Sequence, residues 1–241
     1  MHYIFSGRPE DIPNYFAVSQ GSFCSLDELQ NEAESAKQIK LIYVLHCYKL
    51  FIAYWQGNLA VAEKHSYLAQ NARPASRVPT TVLIYATFFR GLVSFQMYRQ
   101  AGGKNRLKNG EEMMELMEKW AKLSPESMAV FGNKWHLIKA EYYSSVKDHD
   151  QALKMYEASI AASKDHGNIH ELALGYELLG DYYAAHHRVE ADVTECYKNA
   201  VTFYLQWGAA AVARRIMSKH SLDIDLVVHN EREGVLIKHT R

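Results

Sequence analysis

Two segments of the chain match at an offset of 41 residues, and this repeat constrains the fold more than any other feature. The matched positions are Trp135 and Tyr176, Ile138 and Leu179, Tyr142 and Tyr183, Ala152 and Val193, Tyr156 and Tyr197, Ser159 and Ala200, Ile160 and Val201, and Gly167 and Gly208. Aromatic residues correspond to aromatic residues, branched residues to branched or small ones, and glycine to glycine. A period of this size is typical of stacked helix-turn-helix units, which usually bind or scaffold rather than catalyse. The repeat therefore predicts an all-α fold, an α-solenoid.

About four helix pairs and a C-terminal capping helix account for most of the chain. Ser25 and Glu28 form a capping-box pattern, and one long helical pattern follows it to a break at Gly57-Asn58. Ser124 is a suitable N-cap with Pro125 at the first helical position, and Gly167 suits a helix C-terminus. The other predicted helices span about 59–72, 80–101, 111–123, 126–147, 150–164, 169–186, 190–207 and 209–220, with a turn-rich segment at 101–110.

The predicted organisation has three parts. Residues 1–24 contain Gly7, Pro9, Pro13 and Gly21, and are expected to form an irregular N-terminal lead-in. Residues 25–220 form the helical repeat domain. The helical pattern stops near His220, so residues 221–241 are expected to be a C-terminal linker or the start of a following domain.

The repeat also separates core tyrosines from candidate binding residues. Tyrosines at the repeat core positions are explained by packing with a hydroxyl at the edge of the core: Tyr142, Tyr156, Tyr183 and Tyr197. Tyr143 and Tyr182 lie next to core positions, and neighbouring helical residues alternate between core and surface. These two residues are the candidate groove contacts, although packing alone could also explain them.

Charge and cysteine content argue against several classes of partner. Lys plus Arg equals Asp plus Glu, 27 each, so no overall field favours nucleic acid or an anionic membrane. The three cysteines are scattered and form no C-x-x-C pattern, which is typical of reduced cysteine in a cytoplasmic protein. The apolar stretch Val78–Tyr98 has Arg90 near its middle, which predicts a buried helix rather than a membrane span.

Catalytic and metal-binding patterns are incomplete. His170-Glu171 begins like a zinc-protease motif, but Leu174 stands where the second histidine ligand is required. Gly102-Gly103-Lys104 has neither the first glycine nor the Ser/Thr of a phosphate-binding loop, so a solvated turn is favoured. The sequence shows no G-x-S-x-G and no kinase motifs. We expect no enzyme activity, no metal site and no cofactor in this chain.

Basic residues cluster in two places. Arg99, Lys104, Arg106 and Lys108 are expected to share one loop, and Arg214, Arg215 and Lys219 lie near the end of the last helix. Short runs of charge are common on exposed faces, so solvated surface is favoured over a site for phosphate or an acidic partner.

Several segments resemble the tetratricopeptide-like helical region of large multidomain sensor kinases. The segments that carry the resemblance are KWAKLSPESMAVFGNKWHLIKAEYY, ALKMYEASIAASKDHGNIHELALGYELLGDYYAAH and CYKNAVTFYLQWGAAAVARRI. In that family a kinase-like domain and an AAA-type ATPase precede the helical repeats, and a GAF domain and often a histidine kinase follow them. The resemblance covers about residues 40–220 and implies a helical linking module of an intracellular signalling protein. It carries over no catalytic residue, because the family's catalytic domains are absent from this chain.

Two functional hypotheses follow. The preferred one is a non-catalytic module that contacts a protein or peptide partner, or couples flanking domains of the same polypeptide. The alternative is a regulatory domain whose groove senses a peptide or small molecule. A deep pocket with converging polar groups would favour the second hypothesis over the first.

Overall fold

The computed structural model describes residues 18–19, 22–23, 25–75, 78–186 and 189–222. The described elements are a two-residue antiparallel pairing of β1 (Val18–Ser19) with β2 (Ser22–Phe23), followed by helices α1 (Leu26–Ser35), α2 (Ile39–Trp55), α3 (Leu59–Asn71), α4 (Thr80–Ala101), α5 (Lys104–Ala121), α6 (Pro125–Ser145), α7 (His149–Asp165), α8 (Ile169–Ala185), α9 (Glu190–Trp207) and α10 (Ala210–His220). Most of the predicted lead-in and the predicted linker beyond Leu222 lie outside the described residues.

The prediction of an all-α solenoid is confirmed. Helices α2–α3, α4–α5, α6–α7 and α8–α9 form four consecutive antiparallel pairs, and α10 packs on α9. The Ser124 hydroxyl accepts from the Ser127 N–H, and Pro125 occupies the first turn of α6, as predicted. Asn58 and Asp148 cap α3 and α7 in the same way. These caps satisfy N–H groups that a helix start leaves without partners.

Tight turns of one kind connect most of these helices, and one of them corrects a predicted helix. The single long helix expected after Ser25 is two helices, because Lys37 adopts a left-handed backbone with φ 53°. The N–H groups of Lys37 and Gln38 bond back to Glu34 and Ala33, at 3.1 and 2.8 Å, which closes α1 in a Schellman motif. The same pair of bonds ends helices at Gly57, Lys147, Gly167 and Gly208.

The turn-rich segment expected at 101–110 is also corrected. Gly102 and Gly103, with φ 68° and 103°, complete the whole turn, and α5 begins at Lys104. Gly110 therefore lies inside a helix rather than in a loop. It is buried there, and a Cβ atom at this position would be 2.5 Å from Cε1 of Phe95. Close approach of α4 and α5, rather than turn formation, explains this glycine.

The solenoid has an inner layer and an outer layer of helices. The inner helices α2, α4, α6 and α8 each bury nine or ten residues. The outer helices α3, α5 and α7 bury between two and four. Successive inner helices contact one another. A single pair cannot bury its apolar face alone, so the inner helices share one core along the array.

The first pair of the array contacts the last one. The Trp55 ring at the end of α2 lies 5.6 Å from the Tyr204 ring and 5.5 Å from the Trp207 ring of α9, between centroids. Phe89 of α4 packs against Trp55 at 5.5 Å. Nε of Arg215 in α10 donates to the Trp55 carbonyl at 3.1 Å. Aromatic side chains therefore fill the space that would be an open groove in a longer solenoid.

The apolar stretch around Arg90 is the inner helix α4, in agreement with the sequence prediction. Among the helices of the described residues, none combines the length and the apolar character needed to cross a bilayer.

Candidate functional site at the C-terminal ends of the inner helices

A polar cleft of about 430 Å³ lies where the inner helices end. Because each pair turns back tightly, the C-termini of the four inner helices lie on the same side of the molecule. The lining residues come from the α2–α3 connection and the start of α3, from the C-terminal halves of α4, α6 and α8, from Tyr156 of α7, and from α10. A smaller recess of about 300 Å³ shares several of these residues and extends toward Tyr54 and Arg215.

Glu141 is the most deeply buried acidic group of the cleft, being 1% exposed. Arg99 of α4 donates to its carboxylate at 2.6 Å and to its main-chain carbonyl at 3.0 Å. The Tyr156 hydroxyl of α7 donates to the other carboxylate oxygen. Arg99 also donates to the Ser145 hydroxyl at 3.1 Å. The Glu141 carboxylate is thus held between one cation and one phenol, as a buried charge requires.

Glu177 and Asp181, one turn apart on α8, repeat this arrangement. Arg215 donates to Glu177 at 2.7 Å, and the Tyr204 hydroxyl donates to its other oxygen at 2.8 Å. Lys219 and the Tyr197 hydroxyl donate to Asp181 at 3.0 and 2.9 Å.

Each carboxylate of the cleft therefore has one cation and one tyrosine. Burial, together with the adjacent Glu141 and Glu177 carboxylates, raises the pKa of Tyr156 and of Tyr204 well above 10, so both phenols remain hydrogen-bond donors. Burial would lower the pKa of the Arg99 guanidinium, but the Glu141 carboxylate outweighs burial and raises it. The charges of the cleft are satisfied internally, and the C-terminal ends of the inner helices favour the cations placed there.

The two tyrosines predicted as groove contacts lie in different surroundings. Tyr182 is 4% exposed, lines the cleft, and donates to the main-chain carbonyl of His149 at 3.2 Å. Its ring lies 4.4 Å from that of His186, between centroids. Tyr143 is half-buried beside Tyr142 and is not among the residues that line this cleft. Of the two predicted contacts, only Tyr182 therefore reaches the cleft, and its largely buried side chain forms part of the wall.

A second buried charge cluster lies toward the beginning of α8. Lys134 of α6 and Glu171 of α8, both less than a tenth exposed, form an ion pair at 2.6 Å. His170 lies 2.8 Å from the other oxygen of Glu171, and the Tyr85 hydroxyl donates to Glu171 at 3.3 Å. Burial alone would raise the pKa of Glu171, but the hydrogen bond from His170 and the ammonium group of Lys134 lower it to about 2. His170, the first residue of the incomplete zinc-protease pattern, therefore contacts a buried ion pair.

Within the described part of the chain, no group of three or more His, Cys, Asp or Glu side chains converges as a metal site would require. The predicted basic loop does not exist as one unit, since Arg99 lies in α4 and pairs with Glu141, whereas Arg106 lies in α5 and pairs with Glu63 at 2.6 Å. Lys104 and Lys108 are exposed on α5.

The cleft network was not predicted from the sequence, although one signal of it was present. Tyr156 and Tyr197 match at the repeat offset, and their acceptors Glu141 and Asp181 are separated by nearly the same distance along the chain. The cations come from α4 and α10, outside the two matched segments. Sequence spacing alone could not indicate which cation approaches which carboxylate.

Comparisons with known proteins found no match: no family model, no curated protein and no solved structure is significantly similar to this chain. The resemblance to the helical region of sensor kinases therefore stays a prediction.

Proposed function

We propose that this chain is a non-catalytic helical-repeat module that couples flanking domains, or a partner protein, within an intracellular signalling protein. The resemblance to sensor kinases motivates the signalling context. The observation that carries the coupling role is that the first described helix, α1, packs on α2, and that the last one, α10, contacts the C-terminal end of α2 through the Arg215 side chain. Asp27 of α1 binds Lys49 of α2 at 2.6 Å, and Arg215 of α10 binds the Trp55 carbonyl.

This arrangement gives the module a mechanical route between its two ends. In an open solenoid each pair contacts only its neighbours, so a displacement at one end reaches the other end only through every intervening pair. Here α2 touches elements that are about 160 residues away in sequence. A displacement that α1 imposes on α2 therefore reaches α10 by direct contact through Arg215.

Energy transfer between two fluorescent domains, fused to the two ends of the full chain, tests the coupling. Arg215→Met removes the hydrogen bond to Trp55 and the ion pair with Glu177, and we expect it to change the transfer efficiency. Lys154→Met, which replaces an exposed cation of α7, is the control and should leave the efficiency as in the wild type. Equal efficiencies in all three proteins would contradict the coupling role.

The cleft favours a second function, a domain that senses a peptide or small molecule. Its volume lies within the range of ligand pockets, and polar groups from five helices converge on it. The mutual pairing of those groups weighs against this function, since a ligand would have to replace existing ion pairs. A thermal-shift screen with peptides and metabolites tests it: an increase in melting temperature that Asp181→Asn abolishes would support sensing, and no increase would count against it.

A further inference from the structure

A second concave surface lies on the outer side of the molecule, between α3 and α5. This outer groove has a volume of about 790 Å³ and is nearly twice the size of the cleft. Its floor is formed by α4, where Val93 and Ser94 are 1% and 9% exposed. The ion pair of Arg106 with Glu63 joins the two walls, and the rest of the groove is open to solvent.

The charge of the outer groove is positive. Glu63 is the single acidic residue among the described residues that line it, and Arg106 neutralises it through two hydrogen bonds of 2.6 and 3.0 Å. Lys64 and Lys104 are exposed and leave the walls with an excess of positive charge. The chain as a whole has no net charge, so this excess is a local property of the groove.

The remaining lining suits a protein segment better than a nucleic acid. Tyr67 is 64% exposed and projects from α3, and exposed tyrosines are enriched where proteins bind one another. Asn105 and Asn109 of α5 offer amide groups that can pair with a peptide backbone. Two lysines are fewer than the basic stripe with which proteins follow a phosphate backbone.

We propose that the outer groove binds an acidic segment of a partner protein, with Lys64 and Lys104 contacting its carboxylates and Tyr67 packing against its apolar side chains. The proposal depends on the proposed role in protein interaction. It does not depend on coupling between the two ends, because the groove shares no lining residue with the cleft.

Fluorescence anisotropy with the full chain tests the proposal. The probes are a labelled short peptide of Asp, Glu and Leu, its neutral counterpart of Asn, Gln and Leu, and an oligothymidylate whose charge equals that of the acidic peptide. We expect the acidic peptide to bind, with an affinity that falls as salt is added, and the other two probes to bind at least about tenfold more weakly.

Matched variants locate the binding surface. Lys64→Glu/Lys104→Glu is expected to weaken binding of the acidic peptide about tenfold or more, and Tyr67→Ala about threefold without any change of charge. Lys154→Glu/Lys198→Glu alters exposed lysines of α7 and α9, carries the same net charge, and should stay within about twofold of the wild type. Melting curves establish that each variant is folded.

Three results would overturn the proposal. These are no binding of the acidic peptide at low salt, equal weakening by the two double-lysine variants, and equally tight binding of the oligothymidylate. Arg215→Met separates this proposal from the coupling role, since it should leave binding in the outer groove unchanged. A transfer efficiency that is the same in Arg215→Met and the wild type, together with retained binding of the acidic peptide, would contradict the coupling role alone.

Discussion

At the scale of single residues, the ion pairs of the cleft differ in how far they are exposed to solvent. Glu141 is almost fully buried, and the side chain of Arg99 is 31% exposed. The Asp181–Lys219 pair is more exposed on both sides. Since a buried charge without its partner is costly whereas an exposed ion pair contributes little, these pairs should respond very differently to mutation.

Arg99→Met should destabilise the protein by about 3 kcal/mol, because it leaves the Glu141 carboxylate buried without a cation. The measurement is the free energy of unfolding in urea at neutral pH. Lys108→Met is the control, since Lys108 pairs with Glu112 at 3.9 Å on an exposed face and should contribute at most about 0.5 kcal/mol. Equal losses in the two variants would contradict the described burial of Glu141.

His46 and His65 form a pair that makes stability depend on pH. Their Nδ1 atoms are 3.2 Å apart, so two protonated rings would repel each other. Burial, then the neighbouring His46 ring and the ammonium groups of Lys49 and Lys64, lower the pKa of His65 to about 4 from an ordinary 6.5. The folded state thus binds fewer protons than the unfolded state below pH 6.5. The stability is fully present above that pH and is lost as the pH falls toward 4.

Between pH 7 and pH 5, His65 should account for a loss of about 1–2 kcal/mol in the free energy of unfolding. His65→Gln should make the loss over this range smaller by that amount, as measured by urea unfolding at each pH. The control is His166→Gln, at an exposed position in the α7–α8 turn. If the free energy of unfolding of His65→Gln fell with pH as steeply as that of the wild type, protonation of His65 would not be the source of the pH dependence.

At the scale of elements, five helices end in the same Schellman motif, yet two of the left-handed residues are lysines. Lys37 and Lys147 have φ 53° and 64°, where Gly57, Gly167 and Gly208 occupy the equivalent position of other turns. A left-handed conformation costs a residue with a Cβ about 1–2 kcal/mol, and glycine avoids most of this cost.

Lys147→Gly should therefore stabilise the protein by about 0.5–1 kcal/mol, after allowance for the greater freedom of glycine in the unfolded chain. Thermal unfolding provides the measurement. Lys154→Gly, in the middle of α7, is the matched control and should destabilise by about 1 kcal/mol. A lower melting temperature for Lys147→Gly would mean that this turn depends on the lysine side chain.

The limits of sequence-based prediction are clearest at this scale. Periodicity predicted the helices from Ser124 onward closely, because caps such as Ser124 and Gly167 act locally. It missed the turn at Lys37, where a lysine adopts a conformation that usually indicates glycine. It also assigned Gly110 to a loop, because its function in helix packing depends on Phe95 of another helix. The caps at Ser124 and Gly167 were therefore predicted correctly, whereas the left-handed lysine and the contact between two helices were not.

The candidate site illustrates the same limit. Tyr182 was predicted to face a groove because it precedes the repeat core position Tyr183. In the structure Tyr182 is 4% exposed and belongs to the hydrophobic core, where it forms part of the cleft wall, whereas Tyr183 is only partly buried. Arg99 and Glu141 are 42 residues apart in sequence, and Arg215 and Glu177 are 38 apart. Whether such residues meet in space depends on how successive helix pairs rotate about the axis of the array, and the hydrophobic pattern does not specify that rotation.

At the scale of the whole molecule, the first and last helix pairs of the described residues are in contact. The contacts of Trp55 with Tyr204, Trp207 and Arg215 join the first pair to the last elements. An open array of pairs loses its terminal repeats by local unfolding before the middle unfolds. A closed array should instead open its first and last pairs together.

Native-state hydrogen exchange tests this closure most directly. In the wild type, amides of α2 and α9 should exchange with nearly the same free energy of opening. In Arg215→Met, protection should fall in both α2 and α9 as well as in α10, whereas Lys154→Met, at an exposed position of α7, should leave both as in the wild type. Exchange in α2 at a much lower free energy than in α9, or loss of protection confined to α10 in Arg215→Met, would contradict the closed array.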